Sequence, residues 1–248
     1  MHQPSNTLYI ADTGNRRIQM ISLNQSSSSM TTTIVSNLDS ISAIYVADDQ
    51  LSIYIALRYD DRLVQWQKTT NITVQIDGQC KQCAGVWVDQ EKNVYMSESG
   101  THTILQWSPK TNTTKSIAGR TDEEGHTADH LYFPTGIYLN RNDDTLSIAD
   151  TRNHRIQKWM KNSQQGTTIA GSKDGIEGSD ASKLANPLSV WIDDRSEIVY
   201  IADSDNNRIQ RWLKNAVNGT TIAGGKGYLF SFRNQTEQSR AKSSSRFR

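Results

Sequence analysis

The chain has little cysteine and almost none of the signatures that announce an enzyme. Its two cysteines, Cys80 and Cys83, stand together in CKQC. A tetrahedral zinc site needs four ligands, and neither a second CxxC nor a suitably spaced histidine pair accompanies this one. A thioredoxin-like redox pair opens a helix, whereas the residues after Cys83 read as a strand. Small loop residues or one local disulfide is the reading left for Cys80 and Cys83. No apolar run of about 18 residues occurs, so no transmembrane helix is expected. The first residues lack the apolar core of a signal peptide, which says little if the chain is a piece of a longer one. No GxSxG, P-loop, GxGxxG or HExxH appears, so no catalytic residue and no cofactor are expected. Apolar residues at helical spacing are also missing, which argues against a helical repeat.

What the chain does have is a repeat. LYIADTGNRRIQMI (8–21) recurs as IYIALRYDDRLVQW (53–66), VYMSESGTHTILQW (94–107), LSIADTRNHRIQKW (146–159) and VYIADSDNNRIQRW (199–212). Self-similarity at about 40–50 residues marks a propeller or solenoid. Each copy reads as a hairpin. Leu8, Tyr9, Ile10 and Ala11 alternate as in a strand. Asp12, Thr13, Gly14 and Asn15 are turn formers. Arg17 to Ile21 form the return strand. Its last position is Trp66, Trp107, Trp159 and Trp212 in the later copies, an aromatic register that suggests packing between neighbouring sheets.

Further strands flank each hairpin. Segments such as TTTIVSN (31–37) and GTTIAGG (219–225) follow, and SAIYVAD (42–48), AGVWVDQ (84–90), TGIYLNR (135–141) and LSVWIDD (189–195) precede copies two to five. Four short antiparallel strands make one propeller blade. The predicted fold is therefore an all-β propeller with five four-stranded blades visible, the first lacking its inner strand. Residues 1–225 form the propeller. Residues 226–248 are a basic, serine-rich tail expected to be disordered. Five blades with one strand missing suggest an arc from a longer, six-bladed ring.

The pattern apolar-Tyr-Ile-Ala-Asp, a turn with Asn, then Arg-Ile-Gln-x-Trp resembles the NHL repeat. The strand Pro134, Thr135, Gly136, Ile137 resembles it too. Copies one, four and five match closely. Copy two has Leu57 in place of Asp, and copy three has Glu98 there and Thr103 in place of Arg. The resemblance implies a ligand-binding platform, an RNA reader as in tripartite-motif ligases, or, rarely, a lyase- or lactonase-like enzyme. The leading expectation is a non-catalytic module that presents variable loops to a protein or glycan. The hairpin-turn residues that vary between copies are the candidate ligand contacts: Thr13, Arg58, Tyr59, Ser99, Arg152 and Asp205.

RNA binding is disfavoured by charge. The whole chain is +1, but six basic residues and one acid lie after Gly225, which leaves the propeller at −4 and gives the tail +5. The repeated pairs Asp12–Arg17, Asp150–Arg155 and Asp203–Arg208 are expected to stabilise their turns rather than to hold ligand. Asp89, Asn140 and Asp193 end inner strands and read as turn caps before they read as calcium ligands. His126 and His130, beside Glu123 and Glu124, read as loop. Five sequons, at Asn24, Asn71, Asn112, Asn218 and Asn234, lean toward an extracellular or secreted setting.

Overall fold

A computed structural model describes residues 7–23, 31–48, 51–77 and 80–225. The tail 226–248 and the sequons at Asn24 and Asn234 lie outside the described residues. Blade one holds β1 (Thr7–Asp12), β2 (Arg17–Ser22) and β3 (Thr32–Ser36). Blade two holds β4 (Ile41–Val46), β5 (Ser52–Leu57), β6 (Arg62–Gln67) and β7 (Ile72–Asp77). Blade three holds β8 (Cys83–Val88), β9 (Val94–Glu98), β10 (Thr103–Ser108) and β11 (Thr113–Ala118). Blade four holds β12 (Pro134–Leu139), β13 (Leu146–Asp150), β14 (Arg155–Trp159) and β15 (Gly166–Gly171). Blade five holds β16 (Pro187–Asp193), β17 (Ile198–Asp203), β18 (Arg208–Trp212) and β19 (Thr220–Gly224).

Every blade is an antiparallel meander with strands in chain order. The first sheet has three described strands and the others four, as the repeat spacing implied. The inner strands β4, β8, β12 and β16 contact one another in series, with β1 against β4 at the start. The apolar core accordingly lies between sheets, in four clusters at the four blade junctions. Trp66, Trp159 and Trp212 are buried in these junctions, while Trp107 is half-buried. Glycine makes room for two of the indoles. A Cβ on Gly166 would sit 2.5 Å from the Trp159 ring, and one on Gly219 would sit 2.2 Å from Trp212.

The Asp–Arg pairs hold more than their own turns. Asp150 accepts from Arg155 Nε at 2.7 Å, from Asn153 at 2.8 Å and from the Tyr132 amide at 2.7 Å. The rest of the Arg155 guanidinium donates to the carbonyls of His126, Thr127 and His130 in the link from blade three. Asp203 and Arg208 repeat this arrangement, with Arg208 reaching Ser179, Asp180 and Lys183. The pairs of blades four and five thus each fasten a long inter-blade link whose carbonyls would otherwise lack partners, while Arg17 in blade one reaches Asp12 and Thr33 within its own blade. Blade three has no such arginine. There Glu98 accepts from the Lys81 amide at 2.6 Å, and Cys80 and Cys83 form a disulfide across the short link.

The two ends of the axis are unlike. The starts of the inner strands and the turns after β1, β5, β9, β13 and β17 gather at one end. The turns before the outer strands gather at the other, and Asn71, Asn112 and Asn218 lie there, all exposed.

Candidate ligand-binding site

The axial mouth at the first of these ends is built by a rule that one blade breaks. After the Asp or Glu that ends the second strand comes a hydroxyl. Thr13 donates to the Ile41 carbonyl at 2.9 Å, Ser99 to Pro134 at 2.5 Å and Thr151 to Pro187 at 2.8 Å. Each bond ties one blade to the first residue of the next inner strand. The turn then closes on a left-handed residue whose side chain makes a second tie. Asp61 accepts from the Gln82 amide at 2.7 Å, His102 Nδ1 from Phe133 at 3.2 Å and His154 Nδ1 from Asn186 at 3.1 Å. Burial holds the His154 imidazole below its ordinary range, which suits a ring that must accept at Nδ1.

Blade two has Leu57 where the acid belongs and Arg58 where the hydroxyl belongs. Leu57 is fully buried. Arg58 ties nothing to the next blade with its side chain. Its amide and that of Tyr59 are held by Ser40, through the carbonyl and the hydroxyl, each at 3.0 Å. Its guanidinium crosses the mouth and lies 4.6 Å from the centroid of Phe133, at the start of blade four. Arg152, on the blade four turn, lies 5.8 Å from the same ring, and Tyr59 flanks Arg58 at 5.9 Å. Arg58 Nε is shielded from solvent and has no hydrogen-bond partner. Among the described residues neither Arg58 nor Arg152 pairs with a carboxylate, although most of the arginines with described partners do.

Phe133 breaks a second rule. Its φ is 56°, in the left-handed region, where the equivalent residues are Ser40, Gln82 and Asn186. A bulky aromatic is costly there. Its ring serves as the platform on which both arginines rest. Beside it opens a cavity of about 270 Å³, lined by Thr13, Ser40, Ile41, Ser42, Arg58, Tyr59, Ala84, Thr135 and Leu188. Every blade contributes to this lining.

Four of the six turn candidates converge here. Thr13, Arg58 and Tyr59 line the cavity, and Arg152 shares Phe133 with Arg58. Ser99 is buried with its hydroxyl committed to Pro134, and Asp205 accepts from Asn186 on blade five. Phe133 was not among the candidates. An aromatic aligned with Ser, Gln and Asn was the signal for it.

Most polar groups at the opposite end are paired, although the Trp87 indole nitrogen is buried without a partner. Tyr45, Trp87, Tyr138 and Trp191, at one register of successive inner strands, form a row of ring contacts at 5.0, 5.0 and 6.3 Å. Arg141 crosses to Asp48 and Tyr45, and Tyr138 donates to Asp194 at 2.7 Å. Asp89 accepts from the amides of Glu91 and Asn93 and from the Tyr95 hydroxyl. Asp193 accepts from the Arg195 amide and Ser196, and Asn140 from the Asn142 amide. All three cap their turns. In the link before blade four, the His130 ring meets Thr127 and Asp129, while His126 offers its carbonyl to Arg155.

Known proteins share the repeat and the fold. The NHL repeat matches residues 131–159, the stretch that runs from the blade four link through Phe133 and Arg152 to Trp159. NHL repeat-containing protein 2 of Gallus gallus is 33% identical over 96 residues, and that of Homo sapiens is 36% identical over 98. Each alignment covers 38% of this chain and 13% of the relative. Among solved structures, an auxiliary nutrient binding protein from Bacteroides thetaiotaomicron superposes with a TM-score of 0.70 at 15% identity, over 90% of this chain and 56% of that one. A chain of a nidogen/laminin complex gives 0.69 at 15%, over 91% and 77%. A streptogramin B lyase gives 0.62 at 13%, over 92% and 68%. At these identities the structures share a fold with this chain and nothing finer. With five registered copies, a matching repeat and five meander sheets around one axis, the chain is an NHL-repeat β-propeller.

Proposed function

We propose that this propeller is a non-catalytic binding module that seats a protein or glycan ligand at the mouth formed by Thr13, Arg58, Tyr59, Phe133 and Arg152. One observation carries the reading. Blade two gives up its acid and its tie hydroxyl, and the arginine that replaces the hydroxyl reaches across the axis with a shielded, unpartnered nitrogen. Departures from a repeat's own rules that bring no structural return are expected at functional positions. The opposite end presents the sequons Asn71, Asn112 and Asn218, so glycans placed there leave the mouth clear. The nutrient-binding protein of the same fold is a precedent for binding on this scaffold, and the lyase is a precedent for chemistry. The mouth supports binding better, because its side chains are cationic, aromatic and apolar and include no acid poised as a general base.

The test is site-specific crosslinking. A photoreactive phenylalanine analogue at position 59, where Tyr59 is 80% exposed, should join the propeller to a saturable partner. The same analogue at Leu213, exposed at the other end, should not. Equal labelling from both positions would remove the mouth as the binding site.

A further inference from the structure

We infer that the mouth takes a carboxylate side chain of a protein partner, an Asp or Glu beside an apolar residue. The inference rests on the mouth being the binding site and adds the chemistry of what enters it. Two guanidinium groups converge on one ring, and among the described residues no carboxylate answers either of them. A planar guanidinium offers paired donors that match a carboxylate, and the shielded Arg58 Nε is such a donor left idle. Leaving it so is costly in the free protein.

The walls favour a peptide over a sugar. A sugar needs several free hydrogen-bonding groups, and the threonine and serine hydroxyls of this lining are already engaged, which leaves the Tyr59 phenol as the free one. Thr13 bonds Ile41, Ser42 bonds Ala56 and Cys83, and Thr135 bonds Leu188. What remains open beside the cations is apolar or aromatic: Phe133, Tyr59 and Leu188, the last 49% exposed. A cavity of about 270 Å³ receives a side chain and its neighbour. The net charge of −4 on residues 1–225 disfavours a polyanion that must track along the surface, so the cationic spot selects a local acid rather than a nucleic acid backbone.

The experiment selects random displayed peptides on the full chain and remeasures the winners as synthetic peptides against Arg58→Gln, Arg152→Gln and Tyr59→Ala. Enriched peptides should carry Asp or Glu next to a large apolar residue. They should weaken about tenfold or more on Arg58→Gln, less on Arg152→Gln, and should weaken when the acid becomes its amide. Arg58→Lys, which keeps the charge and loses the fork, should bind between the two. Thermal melts of each variant separate lost binding from lost fold, and the exposed Arg152→Gln should melt as the parent does. Winners without acids that still depend on Tyr59 would overturn the carboxylate inference and leave the mouth as the binding site. Winners insensitive to all three substitutions would overturn both. A single-stranded oligouridylate and inorganic phosphate serve as further probes. Tighter Arg58-dependent binding of either than of the acidic peptides would also overturn the inference.

Discussion

Arg155 and Arg58 carry the same guanidinium and meet opposite fates. Arg155 is 2% exposed and spends every nitrogen on Asp150 and on carbonyls. Replacing it with alanine strands a buried carboxylate and several carbonyls, and should cost about 3–5 kcal/mol in chemical denaturation. The pair Asp12–Arg17 in blade one is partly exposed, at 23% and 36%, and Arg17→Ala should cost about 1 kcal/mol or less. Arg58 contributes to no such network. Phe133→Asn removes a left-handed aromatic, a relief of about 1 kcal/mol, and loses a cation–π contact of about 0.5–1 kcal/mol. Stability should stay within about 1 kcal/mol of the parent while ligand binding falls, which paired denaturation and binding measurements would show. The Asp–Arg pairing was legible in the sequence because both residues recur at fixed register. The carbonyl partners of Arg155 and Arg208 were not, because they belong to links with no repeating pattern. Phe133 lay in such a link as well.

At the scale of elements, the hairpin and its outer strand form a unit braced by the indole. Gly219→Ala would drive a methyl group into the Trp212 ring and should cost about 1–3 kcal/mol, readable as a drop in melting temperature. The junction of blades four and five also carries a pH dependence. His154 accepts the Asn186 amide through Nδ1, and its folded pKa is depressed by burial. The neutral ring is therefore favoured in the fold. The associated stability is present above the ordinary histidine value of about 6.5. It is lost as pH falls through the lower folded value. The urea midpoint should decline as pH falls below about 6.5, and His154→Gln should flatten that decline. An unchanged slope in the variant would assign the dependence elsewhere. Strand order and hairpin register followed from the period-2 pattern alone. The histidine tie did not, since the two histidines that make it, His102 and His154, look like ordinary turn residues.

At the scale of the molecule, four junctions are packed among the described residues and the far face of blade five is not. Trp191 is 51% exposed, whereas Tyr138 at the same register of β12 is buried under the next blade. Exposed apolar faces of this kind drive association. The chain should sediment as a concentration-dependent mixture, and Trp191→Lys should shift it toward monomer. A concentration-independent monomer in the parent would remove this expectation. Blade number and the short first sheet were readable from the spacing of the copies. The mouth was readable only in part, because Thr13, Arg58, Tyr59 and Arg152 stand out by varying between copies, whereas their meeting over Phe133 depends on how the blades are set around the axis. Hydrogen exchange of the full chain, with and without a selected acidic peptide, tests that meeting most directly. The account predicts slowed exchange in residues 57–61, 131–135 and 151–154, with residues 213–219 unchanged. Slowing confined to residues 213–219, or to the far face of blade five, would contradict it.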